Sequence, residues 1–149
     1  LVTSGGGFYQ NQFGGYGTPS AALFGFFPSL EWDSFVTIGL TDDAGDAMLD
    51  IGIDWAGFEA GGDIATSNGT WFATPSDAQV FEVGGRVLIG QFTVADGDHV
   101  YGSMNFQGKN ADLSNWNADC VAFDSDGIPA PGALALLGLA GIAARRRRK

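Results

Sequence analysis

The sequence holds one cysteine and one histidine in 149 residues, and each scarcity closes off a chemistry. A lone Cys120 permits no disulfide within the chain, leaving packing, or a bond between chains, to hold the fold. Set between Ala118-Asp119 and Val121-Ala122-Phe123, Cys120 reads as a small buried hydrophobe in a strand. The lone His99 rules out a two-histidine metal site or a facial triad within this chain. It is also the one available base for a Ser–His–Asp arrangement, and no Gly-x-Ser-x-Gly nucleophile motif occurs. His99 reads as a surface residue at a strand start, and nothing local supports a Cys120–His99 nucleophile pair.

Cations are almost as scarce. Up to Gly127 there are two, Arg86 and Lys109, against seventeen carboxylates, an excess of fifteen negative charges. Such a body repels phosphate backbones, which excludes nucleic acid as a partner. Glutamate is rare too: Glu31, Glu59 and Glu82 are the only three, so a glycosidase-type carboxylate pair would have few glutamates to draw on. Among seventeen acids some pair is always close, so that signal has no specificity, and the chain is expected to be non-catalytic. The other fourteen acids are Asp, which together with 24 Gly favour turns and strands over helices.

Long apolar runs are absent except at the C-terminus. Ala133 to Ala144 is twelve residues without a polar side chain, and counting back to Ile128 gives seventeen. A membrane-crossing helix needs about 20, with about 17 as the lower limit. The leucines and Ile142 surround the helix axis instead of forming one stripe, unlike an amphipathic surface helix. Five cations, Arg145, Arg146, Arg147, Arg148 and Lys149, follow directly and favour the cytoplasmic side.

This tail resembles the PEP-CTERM sorting signal of bacteria: a Pro-Glu-Pro-like tripeptide, a short transmembrane run and an Arg cluster. Here the tripeptide is Pro129-Ala130-Pro131, with Ala130 standing where the family name places Glu. The resemblance covers about 22 of the 149 residues and implies an address, not an activity. It implies export, transient anchoring in the inner membrane, and recognition and cleavage near Pro129-Ala130-Pro131 by an exosortase-type enzyme. The processed protein would then reside at the cell surface or outside the cell. An exported protein carries a signal peptide, and the opening Leu1-Val-Thr-Ser-Gly-Gly-Gly is none, so the sequence reads as part of a longer chain.

Four regions are expected: residues 1–29, a Gly- and aromatic-rich N-terminal segment; 30–123, the body; 124–128, a linker; and 129–149, the sorting signal. Within the first, Ser4–Ser20 reads as a loop or extended edge, with Phe8, Tyr9, Phe13 and Tyr16 either packing across a sheet or lining a binding surface. Strand signals follow at Ser34–Leu40, Ala47–Ile53, Thr70–Thr74, Arg86–Val94, His99–Gln107 and Asn117–Phe123. Arg86–Val94, apolar on both faces, predicts a central strand, and Asp96-Gly97-Asp98 a hairpin turn after it. Val100, Met104 and Phe106 alternate with Tyr101, Ser103, Asn105 and Gln107, which predicts a half-buried strand. The fold class expected is mainly β: an antiparallel β-sandwich, jelly-roll or Ig-like, plus a short C-terminal hydrophobic helix. Leu30–Gly39, Asn68–Pro75 and Val87–Val94 resemble stretches of secreted bacterial proteins that carry such tails, without an assigned activity.

Two ligand sites suggest themselves in the body. Asp42, Asp43, Asp46 and Asp50 fall within nine residues, and calcium prefers several carboxylate oxygens gathered by flexible loops. The plainer reading is that these Asp residues cap turns, since no stretch completes an EF-hand-like loop. Trp32, Trp55, Trp71 and Trp116 are candidate platforms for sugar rings of an extracellular polysaccharide. Trp71, beside Phe72 in a strand, reads as core; Trp116, between Asn115 and Asn117, reads as the exposed one. The leading expectation is an exported, non-catalytic surface or matrix protein, and the alternative a carbohydrate-binding module that depends on or is stabilised by calcium. A secreted hydrolase ranks third.

Overall fold

In the computed structural model, which describes residues 1–126, strands dominate and every pairing is antiparallel. The sorting residues Pro129, Ala130, Pro131 and Arg145 to Arg148, and the hydrophobic helix, lie outside the described residues. In chain order the strands are β1 (Val2–Thr3), β2 (Phe35–Val36), β3 (Leu49–Ile51), β4 (Thr70–Phe72), β5 (Gly90–Gln91), β6 (Val100–Lys109) and β7 (Asn115–Asp124). One α-helix, α1 (Trp55–Glu59), and 3-10 turns at Ala21–Leu23, Pro28–Trp32 and Ala78–Val80 join them. Among the described residues no helix is long and apolar enough to cross a membrane.

Three sheets result: β1-β6-β7, β2-β5 and β3-β4. Alternation sets β6, since Val100, Met104 and Phe106 turn inward while Tyr101, Ser103, Asn105 and Gln107 turn to solvent. The strand β7 returns beside β6 from Tyr101↔Asp124 to Lys109↔Asn115, with one register shift between Met104 and Phe106. At that irregularity Cys120 takes φ 53° and is exposed, which corrects its reading as a buried strand residue. The extra residue of a bulge is left out of the pairing, and here its neighbours Asp119, Val121 and Ala122 are exposed with it.

The expected central strand Arg86–Val94 shrinks to Gly90–Gln91. It is bounded on one side only: Thr37 N–H donates to Ile89 O at 3.1 Å and Gly39 N–H to Leu88 O at 2.7 Å, an irregular continuation of the β2-β5 pairing. Val87 and Leu88 are accordingly exposed. The turn at Asp96-Gly97-Asp98 forms, but the strands on either side of it pair elsewhere, so it is not a hairpin.

One core gathers contributions from all three sheets. Phe58 of α1 is wholly buried and meets Phe8 at 5.5 Å, Trp55 at 6.1 Å and Phe92 at 6.5 Å between ring centroids. Val36 and Val100 are buried in the same cluster, with Trp71 and Met104 packed against it. Asp54 caps α1 by accepting from Ala56 N–H, which allows a helix of one turn and a half to hold Phe58 inward. The first 29 residues join this core: Phe8 is buried within it and β1 pairs with β6.

Candidate functional site

The Pro28–Trp32 turn is tied to the rest of the fold by side-chain hydrogen bonds. Pro28 opens the turn with its fixed φ, and in a 3-10 turn residues three apart share a side, which sets Ser29 and Trp32 on one face. Leu30 points inward and is wholly buried, leaving Trp32 65 % exposed. The Gln91 side chain then donates from Nε2 to the carbonyls of Glu31, at 2.9 Å, and Asp33, at 2.8 Å. The carbonyls of the two residues flanking Trp32 are thus held by one amide.

Asp33 anchors the N-terminal loop from below. It is fully buried, and its Oδ1 accepts from Asn11 N–H at 2.6 Å. A side chain at Gly14 would collide with this carboxylate, so the loop can close over Asp33 only because residue 14 is glycine. Burial raises the Asp33 pKa above the ordinary aspartate value, and the N–H groups of Asn11, Gly15 and Ser34 oppose that rise.

Above this base runs a cleft of about 450 Å³, lined by residues 6–9, Trp32 and residues 93–95. Tyr9 N–H donates to Thr93 O at 2.8 Å, Ser34 N–H to Tyr9 O at 3.1 Å, and Thr93 N–H to Ser34 Oγ at 2.9 Å. The Asn11 side-chain amide donates to the Tyr9 hydroxyl at 3.3 Å and to Ser29 Oγ at 2.9 Å. Trp32 and Tyr9 both line the cleft, and the Asn11 amide, outside the lining, ties the Tyr9 hydroxyl to Ser29.

The four clustered aspartates are not brought together as ligands. Asp42 Oδ1 accepts from Ala44 N–H, and Asp46 accepts from Met48 N–H and the Thr18 hydroxyl. Asp43 is exposed, its own N–H bonded to Pro19 O. Asp50 accepts from Trp55 Nε1 at 2.8 Å and from the Tyr16 hydroxyl at 3.0 Å. It crosslinks two rings that stack 4.6 Å apart at 8°, and the bond to Asp50 raises the Tyr16 pKa. Among the described residues no group of three or more His, Cys, Asp or Glu is placed to hold a metal ion.

Trp116 is 43 % exposed on β7, and its indole lies over Gly108 across the ribbon, where a Cβ would come within 2.7 Å of Nε1. Trp71 packs against the core and donates from Nε1 to Thr37 O at 3.2 Å. His99, Ser4 and Asp124 share a corner without forming a triad. Ser4 Oγ accepts from the His99 peptide N–H at 2.8 Å, and Asp124 lies 3.8 Å from Nε2.

Trp32 and Tyr9 stand among the candidate aromatics of the sequence, and nothing local pairs them. The only local signal was Pro28 placed four residues before Trp32. The chain matches no family model, no curated protein and no solved structure.

Proposed function

We propose that the chain is an exported, non-catalytic cell-surface or extracellular-matrix protein, delivered by a cleavable C-terminal sorting signal. The observation that carries this reading is the order at the tail: Pro129-Ala130-Pro131, an apolar run, then Arg145 to Arg148. That order suits a segment held briefly in the inner membrane with its cations on the cytoplasmic side. An exosortase-type enzyme is the partner it calls for. The fifteen-charge acidic excess of the body suits a protein that must stay soluble outside the cell.

The absence of catalysis belongs to the same proposal. It is supported by the Ser4–His99–Asp124 corner, where the serine oxygen faces a peptide N–H instead of the imidazole. The two-layer sandwich, jelly-roll or Ig-like, is also part of it, supported by antiparallel pairing throughout and a core drawn from three sheets. Fractionation tests the address: the full-length gene product, tagged inside its body, should be recovered at the surface or in the medium. Retention of that protein in the cytoplasm refutes it.

A further inference from the structure

Single exposed aromatics are ordinary on protein surfaces, and exposure alone says nothing about Trp32. Three other features set it apart. It borders a cleft of about 450 Å³, its backbone is fixed on both sides by Gln91, and Tyr9 lines the same cleft. That volume falls within the roughly 300–1,000 Å³ of small-ligand sites. We propose that this cleft binds a ring of a neutral polysaccharide, stacked on the Trp32 indole and hydrogen-bonded at the Tyr9 edge.

The chemistry favours a sugar for two reasons. A pyranose ring presents an apolar C–H face bordered by hydroxyls that both donate and accept. It therefore needs a flat aromatic surface with polar groups at the margin, and this edge of the cleft supplies both. Tyr9 lines the cleft, and its hydroxyl accepts from Asn11, which leaves its own proton to donate; Ser29 Oγ, bonded to the same amide just outside the lining, also keeps its proton. Among the described residues Trp32 Nε1 has no hydrogen-bond partner and adds a further donor at the cleft. A purely apolar ligand would leave these groups unpaired.

Charge selects the kind of sugar. Asp98 accepts from Gly6 N–H at 3.0 Å beside the cleft, and Glu31 precedes Trp32 in the chain. The two cations of the body, Arg86 and Lys109, are not in the lining. Uronic-acid or sulfated chains would meet uncompensated carboxylates, whereas a neutral glucan or mannan meets no repulsion. The backbone bonds joining Tyr9, Ser34 and Thr93 fix the cleft before any ligand arrives, so little ordering cost remains at binding.

This site is independent of the route of export: binding is read on purified protein, and export by fractionation. The full chain is titrated with cellohexaose, laminarihexaose and mannohexaose, and with oligogalacturonate as the acidic control, following tryptophan fluorescence and heat. Saturable binding of at least one neutral hexaose is expected. Trp32→Ala should weaken it roughly tenfold or more, a loss typical of an interface anchor. Trp32→Phe should recover part of it, Tyr9→Phe should weaken it less than Trp32→Ala, and Trp116→Ala should leave it unchanged. Three outcomes overturn the proposal: no response to any neutral hexaose from protein with a β-type circular dichroism spectrum, equal affinity in Trp32→Ala, or preference for oligogalacturonate. Loss on Trp116→Ala with retention in Trp32→Ala would move the site to the ribbon and also overturn it.

Discussion

Gln91 braces Trp32 by donating one side-chain amide to the carbonyls of the residues before and after it, Glu31 at 2.9 Å and Asp33 at 2.8 Å. The most exposed tryptophan at the cleft thus depends on a residue of β5, sixty positions away from Glu31 in the chain. Gln91→Ala removes both bonds and should cost about 1–3 kcal/mol of unfolding free energy, because two carbonyls lose their donor. Denaturant unfolding measures this. Gln91→Glu, which cannot donate to either carbonyl, should be no better.

Asp33 gives the fold a pH dependence of defined sign. Its pKa is raised in the folded state by burial, so the folded protein holds this proton more tightly than the unfolded chain. The stabilisation from that proton is complete below the unfolded value of 3.8 and is lost as pH rises through the raised folded value. Asp33→Asn keeps an acceptor for Asn11 N–H and removes the buried charge. The stability of Asp33→Asn relative to the parent should therefore be greater at pH 7 than at pH 3.5, compared by urea unfolding at each pH. A difference that grows on acidification would be of the wrong sign.

Cys120 is exposed in a left-handed backbone conformation. Its thiol should react with Ellman's reagent in the folded protein, one equivalent per chain, at a rate little changed by denaturant. Reaction only after unfolding would return Cys120 to the interior. Cys120→Gly should be neutral or stabilising, while Cys120→Val should destabilise by about 1–2 kcal/mol, since a β-branched residue tolerates positive φ poorly.

The oxygens of Asp50 hold the Trp55 and Tyr16 side chains. Asp50→Ala should cost about 1–3 kcal/mol through two lost charge-assisted bonds. Millimolar calcium or a chelator should leave the melting temperature of the parent protein unchanged. A rise of several degrees with calcium would mean that the Asp42–Asp50 carboxylates rearrange around the ion.

Period-two alternation made β6 legible from Val100 onward, and the strand signals at Ser34–Leu40, Ala47–Ile53 and Thr70–Thr74 marked β2, β3 and β4, although each proved shorter than its pattern. Arg86–Val94 misled because apolarity on both faces is equally the mark of a half-exposed segment lying against one neighbour. Cys120 misled because a bulge depends on the register of the partner strand, here at Met104/Phe106, and leaves no trace in its own neighbours. The aspartates of 42–50 were legible as turn formers, as their bonds to Ala44 and Met48 attest. The cleft was not legible, because residues 6–9, 32 and 93–95 are brought together by the Tyr9–Thr93 backbone bond and the Gln91 side chain, which no local pattern encodes.

In the proposed route of export, Pro129-Ala130-Pro131 marks a processing point and the apolar run with its arginines is removed. Intact mass measurement of the surface or secreted form, from cells with and without an exosortase-type enzyme, tests it most directly. The expected result is a C-terminus near the tripeptide when the enzyme is present, and an unprocessed, membrane-bound chain when it is absent. A secreted protein that still ends in Arg145-Arg146-Arg147-Arg148-Lys149 would contradict it.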